Sequence, residues 1–291
     1  MKGLLDGVRP AGERARLLLV HAHPDDETLT TGVAIAHHVA RGDDVHVLTC
    51  TLGEEGEVIP GHLAHLEAAE GDPLADHRRA ELAAAMAELG VTHHLLGAAA
   101  PDDPPAFRDS GMAGSAAAAH PRAFAGVDLA VAAAAVREVV DRVRPDVVVT
   151  YDAGGGYGHP DHVRTHEATR RAVAGSADAP VLLGALTPLS WAAEDREWLA
   201  THVPAGEGWV VPGEGNPYAG SVVPDEVVTR AVVDPAAVAV QTRALRHHET
   251  QVVVGEGWYA LSNRYVFRLG GREGYARLDP ATGRPLPEGA P

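Results

Sequence analysis

Leu17-Leu18-Leu19-Val20 runs into Ala22-His23-Pro24-Asp25-Asp26-Glu27, and this junction decides the fold. Four consecutive apolar residues are the signature of a strand buried on both faces, and a proline three residues past His21 stops any helix from continuing the run. A histidine and two carboxylates therefore stand in a tight turn at the end of a strand, where open α/β sheets carry their ligand sites. The arrangement recurs. Val147-Val148-Val149-Thr150-Tyr151 reads as another buried strand, and Gly158-His159-Pro160-Asp161-His162 follows it. Two turns bearing imidazole and carboxylate groups, each after a buried strand, look like two halves of one metal site.

Outward from these turns, strands and helices alternate. Strands are expected over 16–22, 45–51, 91–96 and 146–151, and helices over 29–40, 76–89, 129–143 and 160–174. Gly42 and Gly90 serve as helix stop signals. This alternation predicts an α/β fold, a Rossmann-like, mostly parallel sheet flanked by helices. The Pro/Gly/Ala-rich stretch 97–126 is long for a passive connection and reads as a lid, a binding loop or a disordered segment. Past Gly175 the pattern weakens. Strands are expected over 181–186 and 226–233 and a helix over 235–248 capped by Asp234. Residues 188–224 read as an irregular segment or lid, and 270 onward as a frayed tail. The division expected is a catalytic core, 1–174, and a smaller C-terminal part, 175–291, that completes the sheet and the pocket within one structural unit.

Composition narrows the function. The chain has 291 residues and a formal net charge of −16, which argues against a nucleic-acid backbone or an anionic membrane surface as partner. No apolar stretch approaches about 20 residues, so no membrane span is expected, and the segment before Leu17 carries scattered charges unlike a leader. The single cysteine, Cys50, fits a reducing cytoplasm and reads as a small strand residue, not a nucleophile.

A hydrolytic metal centre needs about three protein ligands and one open position. His23 and Asp26 lie on one turn, close enough to share an ion, and His162 at the start of the following helix is placed to be the third ligand. Asp25 is then free to act as the base toward a water whose pKa the metal lowers to about 7. His159, in the glycine-rich turn beside His162, reads as catalytic. His21 reads as a core histidine. The pairs His37-His38, His93-His94 and His247-His248 cannot chelate, since adjacent residues face apart, and are expected at the surface or at helix ends. His-Pro-Asp by itself also serves as a capping turn; two copies at strand ends favour chemistry.

With these residues in view, the chain resembles the GlcNAc-phosphatidylinositol de-N-acetylase-like zinc hydrolases. Within that family it is similar to the actinobacterial deacetylases of mycothiol biosynthesis, on segments 49–58, 108–114, 155–162, 250–255 and 260–263 in one order. The resemblance implies removal of acetate from N-acetylglucosaminyl-inositol in the cytoplasm. It implies one zinc per subunit held by His23, Asp26 and His162, ferrous iron being the other ion such a donor set suits. Asp25 is then the general base, and Tyr157 polarises the carbonyl. His159 stabilises the oxyanion or protonates the amine. Arg78, Asp109 and Glu57 hold sugar hydroxyls, and Asp161 orients a histidine from behind. The partner expected is a small N-acetylated sugar, with no nucleic acid and no membrane; a homo-oligomer is left open. Three other readings compete: an amidase of mycothiol S-conjugates, a deacetylase of another N-acetyl sugar, and a sugar-binding protein that has lost catalysis. Gly158 and the segment 28–32 favour the deacetylase over the amidase, and the intact His23, Asp25, Asp26 and His162 argue against lost catalysis.

Overall fold

A computed structural model describes residues 1–67, 71–100, 103–176, 178–204, 207–213, 215–287 and 289. Residues 68–70 and small parts of the 97–126 stretch, the 188–224 segment and the tail lie outside the described residues.

Strands β1 (Arg16–His21), β2 (Asp44–Thr49), β3 (Thr92–Leu95) and β4 (Val147–Tyr151) alternate with helices α1 (Asp26–Arg41), α2 (Pro73–Leu89) and α3 (Leu129–Val143). A single helical turn, α4 (Gly155–Gly158), precedes α5 (Pro160–Ala174), β5 (Val181–Pro188) and α6 (Leu189–His202). Then come β6 (Val222–Val223), β7 (Arg230–Val233), α7 (Ala237–Leu245), β8 (Val253–Val254), β9 (Trp258–Ala260), β10 (Val266–Arg268) and β11 (Arg272–Arg277).

The main sheet has the order β3-β2-β1-β4-β5-β11-β7, with β6 pairing β5. Its first five strands are parallel, and β11 runs antiparallel to both β5 and β7. A smaller antiparallel sheet joins β8, β9 and β10. The apolar runs supply both faces. Leu17, Leu19, Val45, Val47, Val147 and Val149 pack in one core cluster that also holds residues of α1, α2 and α7. Leu18, Val20, Leu48 and Val148 pack in the other, with α3 and α5. A two-residue alternation with both sets apolar is what a sheet covered by helices on both sides requires. The helices end as their sequences direct: Gly42 and Gly90 take left-handed conformations at φ 89° and 72°, and Asp128 accepts a hydrogen bond from the Ala130 N–H at the start of α3.

The C-terminal part departs from expectation in three places. Residues 189–202 form a helix where an irregular segment is expected. Residues 270 onward are not a frayed tail: β11 lies inside the sheet between β5 and β7, with Tyr275 and Ala276 fully buried. Its Gly274 permits the close approach, since a Cβ there would lie 2.7 Å from the Leu186 carbonyl oxygen. The expected 226–233 strand is shorter, because Asp225–Val227 forms a 3-10 turn first.

β1 is hydrogen-bonded to β2 on one side and to β4 on the other. The chain order thus reverses between β1 and β4, which opens a crevice at their carboxyl ends. Both His-Pro-Asp turns emerge there.

Candidate metal and catalytic site

Three side-chain atoms meet over the crevice. His23 Nδ1 and His162 Nε2 lie 3.3 and 3.2 Å from Asp26 Oδ2, and 3.3 Å from each other. Ligand atoms held about 2.0–2.1 Å from a tetrahedral ion stand about 3.3–3.4 Å apart, so this triangle has the edge lengths of a zinc-like site. All three residues are buried. His159 joins His23 and His162 in a histidine group whose nitrogens lie within 4.8 Å of one another.

Each corner of the triangle is held from behind. His23 Nε2 faces Asp161 Oδ2 at 3.3 Å and Asp109 Oδ1 at 3.5 Å, which leaves Nδ1 toward the centre. Asp161, fully buried, accepts from the N–H groups of Ser110 and Ala125. The His23 N–H donates to Asp26 Oδ2. His162 stacks on Tyr151 with ring centroids 4.2 Å apart, and the Tyr151 hydroxyl accepts from the Ala22 N–H. The glycine turn fits closely: Gly155, at φ 64°, would place a Cβ 2.7 Å from the His162 Cβ.

The electrostatics are those of three carboxylates around imidazoles. Burial opposes charge on His23, but Asp109, Asp161 and Asp26 outweigh it and raise the imidazole well above its ordinary value. Burial likewise opposes charge on Asp26, yet His162 and His23 hold it well below the carboxylate range. Asp25 goes the other way. Burial pushes its carboxyl up to about 7, against Arg78, with Asp26 adding to the rise. His159 is lowered to about 4, first by burial and then by His23 and His162. Its Nδ1 accepts from the Asp161 N–H at 3.2 Å, so a single proton on that ring resides on Nε2.

A family model described as PIG-L, GlcNAc-PI de-N-acetylase, matches residues 18–173, more than half of the chain. The chain belongs to the PIG-L family. This PIG-L protein is 45% identical over 268 residues to a protein of Acidothermus cellulolyticus named 1D-myo-inositol 2-acetamido-2-deoxy-alpha-D-glucopyranoside deacetylase, covering 90% of this chain and 88% of that one. A protein of the same name from Rhodococcus opacus is 46% identical over 265 residues, covering 85% of this chain and 86% of that one. Among solved structures, a deacetylase of the teicoplanin pathway aligns with a TM-score of 0.53 at 21% identity, over 91% of this chain and 99% of that one. The N,N'-diacetylchitobiose deacetylase of Pyrococcus horikoshii aligns with a TM-score of 0.50 at 19% identity, over 83% and 72%. At such identities the two share the fold.

The remaining residues singled out in this PIG-L chain spread over the site and beyond it. Tyr157 is 60% exposed, with its ring centroid 5.0 Å from that of His162 and 6.1 Å from that of His159. Arg78 is buried; it donates to the carbonyls of Gly53 and Pro24 and reaches Asp25 Oδ2 at 3.5 Å. Asp109 is buried against His23 and accepts from the Gly111 N–H. Glu57 is exposed and meets the structure through its backbone carbonyl, which accepts from Gln251 Nε2. Cys50 is a free, buried thiol pushed up to about 12 by burial, unfit as a nucleophile near neutral pH.

His38, in the last turn of α1, and His248, just past α7, lie at helix ends as expected, but both are buried: His38 Nδ1 pairs with Asp43 at 2.7 Å and His248 Nε2 with Glu27 at 3.1 Å. Their partners His37 and His247 face outward, so these two pairs split between core and surface, whereas His93 and His94 are both half-buried on β3, against Thr49 and His46. Glu27, inside the motif itself, and Tyr151, inside β4, are the polar groups of the site that sequence reasoning passed over. His21 is a core histidine as expected, bonded to Thr31 Oγ1 at 2.9 Å.

Proposed function

We propose that this protein is a metal-dependent deacetylase that hydrolyses the N-acetyl group of 1-O-(2-acetamido-2-deoxy-α-D-glucopyranosyl)-1D-myo-inositol in mycothiol biosynthesis, giving glucosaminyl-inositol and acetate. The observation that carries it is the buried triangle of His23, Asp26 and His162 with Asp25 beside it, in a chain some 45% identical along most of its length to proteins named for that reaction. As a PIG-L family member the protein is a hydrolytic N-deacetylase. The triangle's two imidazoles and one carboxylate suit zinc, with ferrous iron the other candidate, one ion per chain. Among the described residues no helix is long and apolar enough to cross a membrane, and the free Cys50 supports a cytoplasmic setting.

His23, Asp26 and His162 hold the ion. When bound, it supplies Lewis acidity, polarising the amide carbonyl and acidifying a water. Asp25 takes the proton of the attacking water and returns it to the departing amine. His159 donates from Nε2 to the developing oxyanion, because its Nδ1 is engaged by the Asp161 N–H. Loss of such a donor typically raises the barrier by about 2.7–4 kcal/mol. Tyr157 polarises the carbonyl from the open side. Asp161 keeps His23 aimed through Nδ1. Arg78, Asp109 and Glu57 are assigned to the sugar hydroxyls, with Arg78 and Asp109 also backing Asp25 and His23.

Acetate release from the zinc-loaded protein tests the reading, with N-acetylglucosaminyl-inositol, a mycothiol S-conjugate and free N-acetylglucosamine offered side by side. Preference for the inositol glycoside is expected. Preference for the conjugate would make the protein the amidase instead, and silence on all three would refute the deacetylase.

A further inference from the structure

Asp25 has an unusual backbone. Its φ is 106° with ψ −36°, outside both the right- and left-handed helical regions, and a non-glycine residue keeps such a conformation only where its surroundings over-determine it. The surroundings are specific. The Asp25 carbonyl accepts from the N–H groups of Thr28 and Leu29, the opening hydrogen bonds of α1. The Asp25 N–H donates to Glu27 Oε2 at 3.1 Å. Glu27 is fully buried, and its other oxygen accepts from Thr28 Oγ1 at 2.6 Å and lies 3.1 Å from His248 Nε2. His248, also fully buried, is delivered from 221 residues along the chain, just past the end of α7. That helix is itself tied to the turn, since Gln241 Nε2 donates to the Thr28 carbonyl at 2.9 Å.

We propose that Glu27 and His248 are a positioning pair for Asp25. Neither touches the metal triangle. His248 fixes the orientation of the Glu27 carboxylate, the carboxylate holds the Asp25 peptide in its strained turn, and the turn aims the Asp25 side chain. A buried carboxylate that serves only the fold needs donors, but not a donor from the one peptide whose conformation is strained. The pair also ties the C-terminal part of the chain to the base, since α7 brings His248 to the turn that β1 begins. The proposal rests on the reading of Asp25 as the base.

The test is steady-state deacetylation of N-acetylglucosaminyl-inositol by metal-loaded variants, with metal stoichiometry and melting temperature measured on each. Glu27→Gln puts an amide N–H2 where one of the accepting oxygens stood. It and His248→Ala are expected to lower kcat on the order of 10- to 100-fold, the effect of misplacing a catalytic group, with KM and metal content little changed. His248→Gln, whose amide can still donate to Glu27, is expected to regain much of the kcat lost in His248→Ala. In an Asp25→Ala background, Glu27→Gln is expected to cost nothing further in residual turnover. Equal proportional losses in both backgrounds, or a loss that follows melting temperature alone across the His248 variants, would overturn the positioning role. An active Asp25→Ala protein would instead overturn the base assignment, whereas an inactive one beside fully active Glu27 and His248 variants removes this proposal alone.

Discussion

Asp161→Asn changes one oxygen of a fully buried carboxylate to nitrogen and should separate metal affinity from folding. Oδ2 of Asp161 accepts from the Ser110 N–H at 2.9 Å and lies 3.3 Å from His23 Nε2, while Oδ1 accepts from the Ala125 N–H at 3.1 Å. An asparagine can satisfy one side only. With its oxygen toward Ser110 and His23, its N–H2 opposes the Ala125 N–H, which keeps only its 2.8 Å bond to Ser110 Oγ; losing the other hydrogen bond costs about 0.5–1.5 kcal/mol. In chains of 150–250 residues each kcal/mol lowers Tm by about 2–4 °C, and somewhat less is expected in this longer one. A neutral amide also backs His23 more weakly than a carboxylate, and losing such a partner typically weakens a metal site about 10- to 100-fold. At saturating metal that affinity loss subtracts a further 1.4–2.7 kcal/mol or so from the stability of the loaded protein. The assay is thermal unfolding of the metal-free and zinc-saturated forms, with zinc affinity measured by competition against a chelator. The loaded form should lose more stability than the metal-free form by the amount that the affinity falls. Equal losses in the two forms, at unchanged affinity, would refute the idea that Asp161 acts on the metal through His23.

Other perturbations give separate checks. His162→Ala removes one corner of the triangle and should abolish stoichiometric zinc binding; full occupancy by elemental analysis would take His162 out of the ligand set. Gly155→Ala places a methyl 2.7 Å from the His162 Cβ and 2.8 Å from the Val163 nitrogen, so zinc affinity should fall, while Gly61→Ala, where a Cβ meets nothing within 4 Å and the backbone is not left-handed, keeps it. Comparing chelator competition curves for the two decides the matter. Asp43 is held below its ordinary 3.8: burial opposes this, but Arg41, the Ala15 N–H and His38 outweigh it. A depressed carboxylate contributes stability that is complete above its unfolded value and is lost as pH falls through the folded one. Urea titrations should therefore show Asp43→Asn less stable than the parent at neutral pH, and the gap should close in acid below about 4; a gap constant down that range would count against the charge.

The parallel half of the molecule was legible because its signals are local and redundant. Apolar runs such as Leu17–Val20 and Val147–Val149 identify strands without knowledge of their neighbours, and Gly42 and Gly90 mark helix ends in sequence. The antiparallel end was not. Gly270-Gly271-Arg272-Glu273-Gly274 has too few apolar residues to announce a strand, and it becomes one because β5 and β7 flank it. In α6 only Leu199 is buried, so no helical periodicity of apolar residues marks it. At the site, the His23, Asp26 and His162 cluster was readable from spacing after buried strands. His248 was not, because the argument that adjacent histidines face apart excludes a shared ion yet leaves either member free to turn inward. Asp109 and Arg78 were placed by resemblance; only the folded structure shows them against His23 and Asp25.

The position of β11 in the sheet has a consequence for how the polypeptide is made. Its neighbours β5 and β7 leave the ribosome well before it, and neither is bonded to the other. At about 5–20 residues per second, the growing chain spends several seconds with the parallel strands formed and the far edge of β5 open. An unpaired edge is a template for the wrong strand, including one from a neighbouring nascent chain. The last strand to emerge thus acts as a closing stitch, and quality control of this protein turns on whether residues 272–277 arrive before a competitor does.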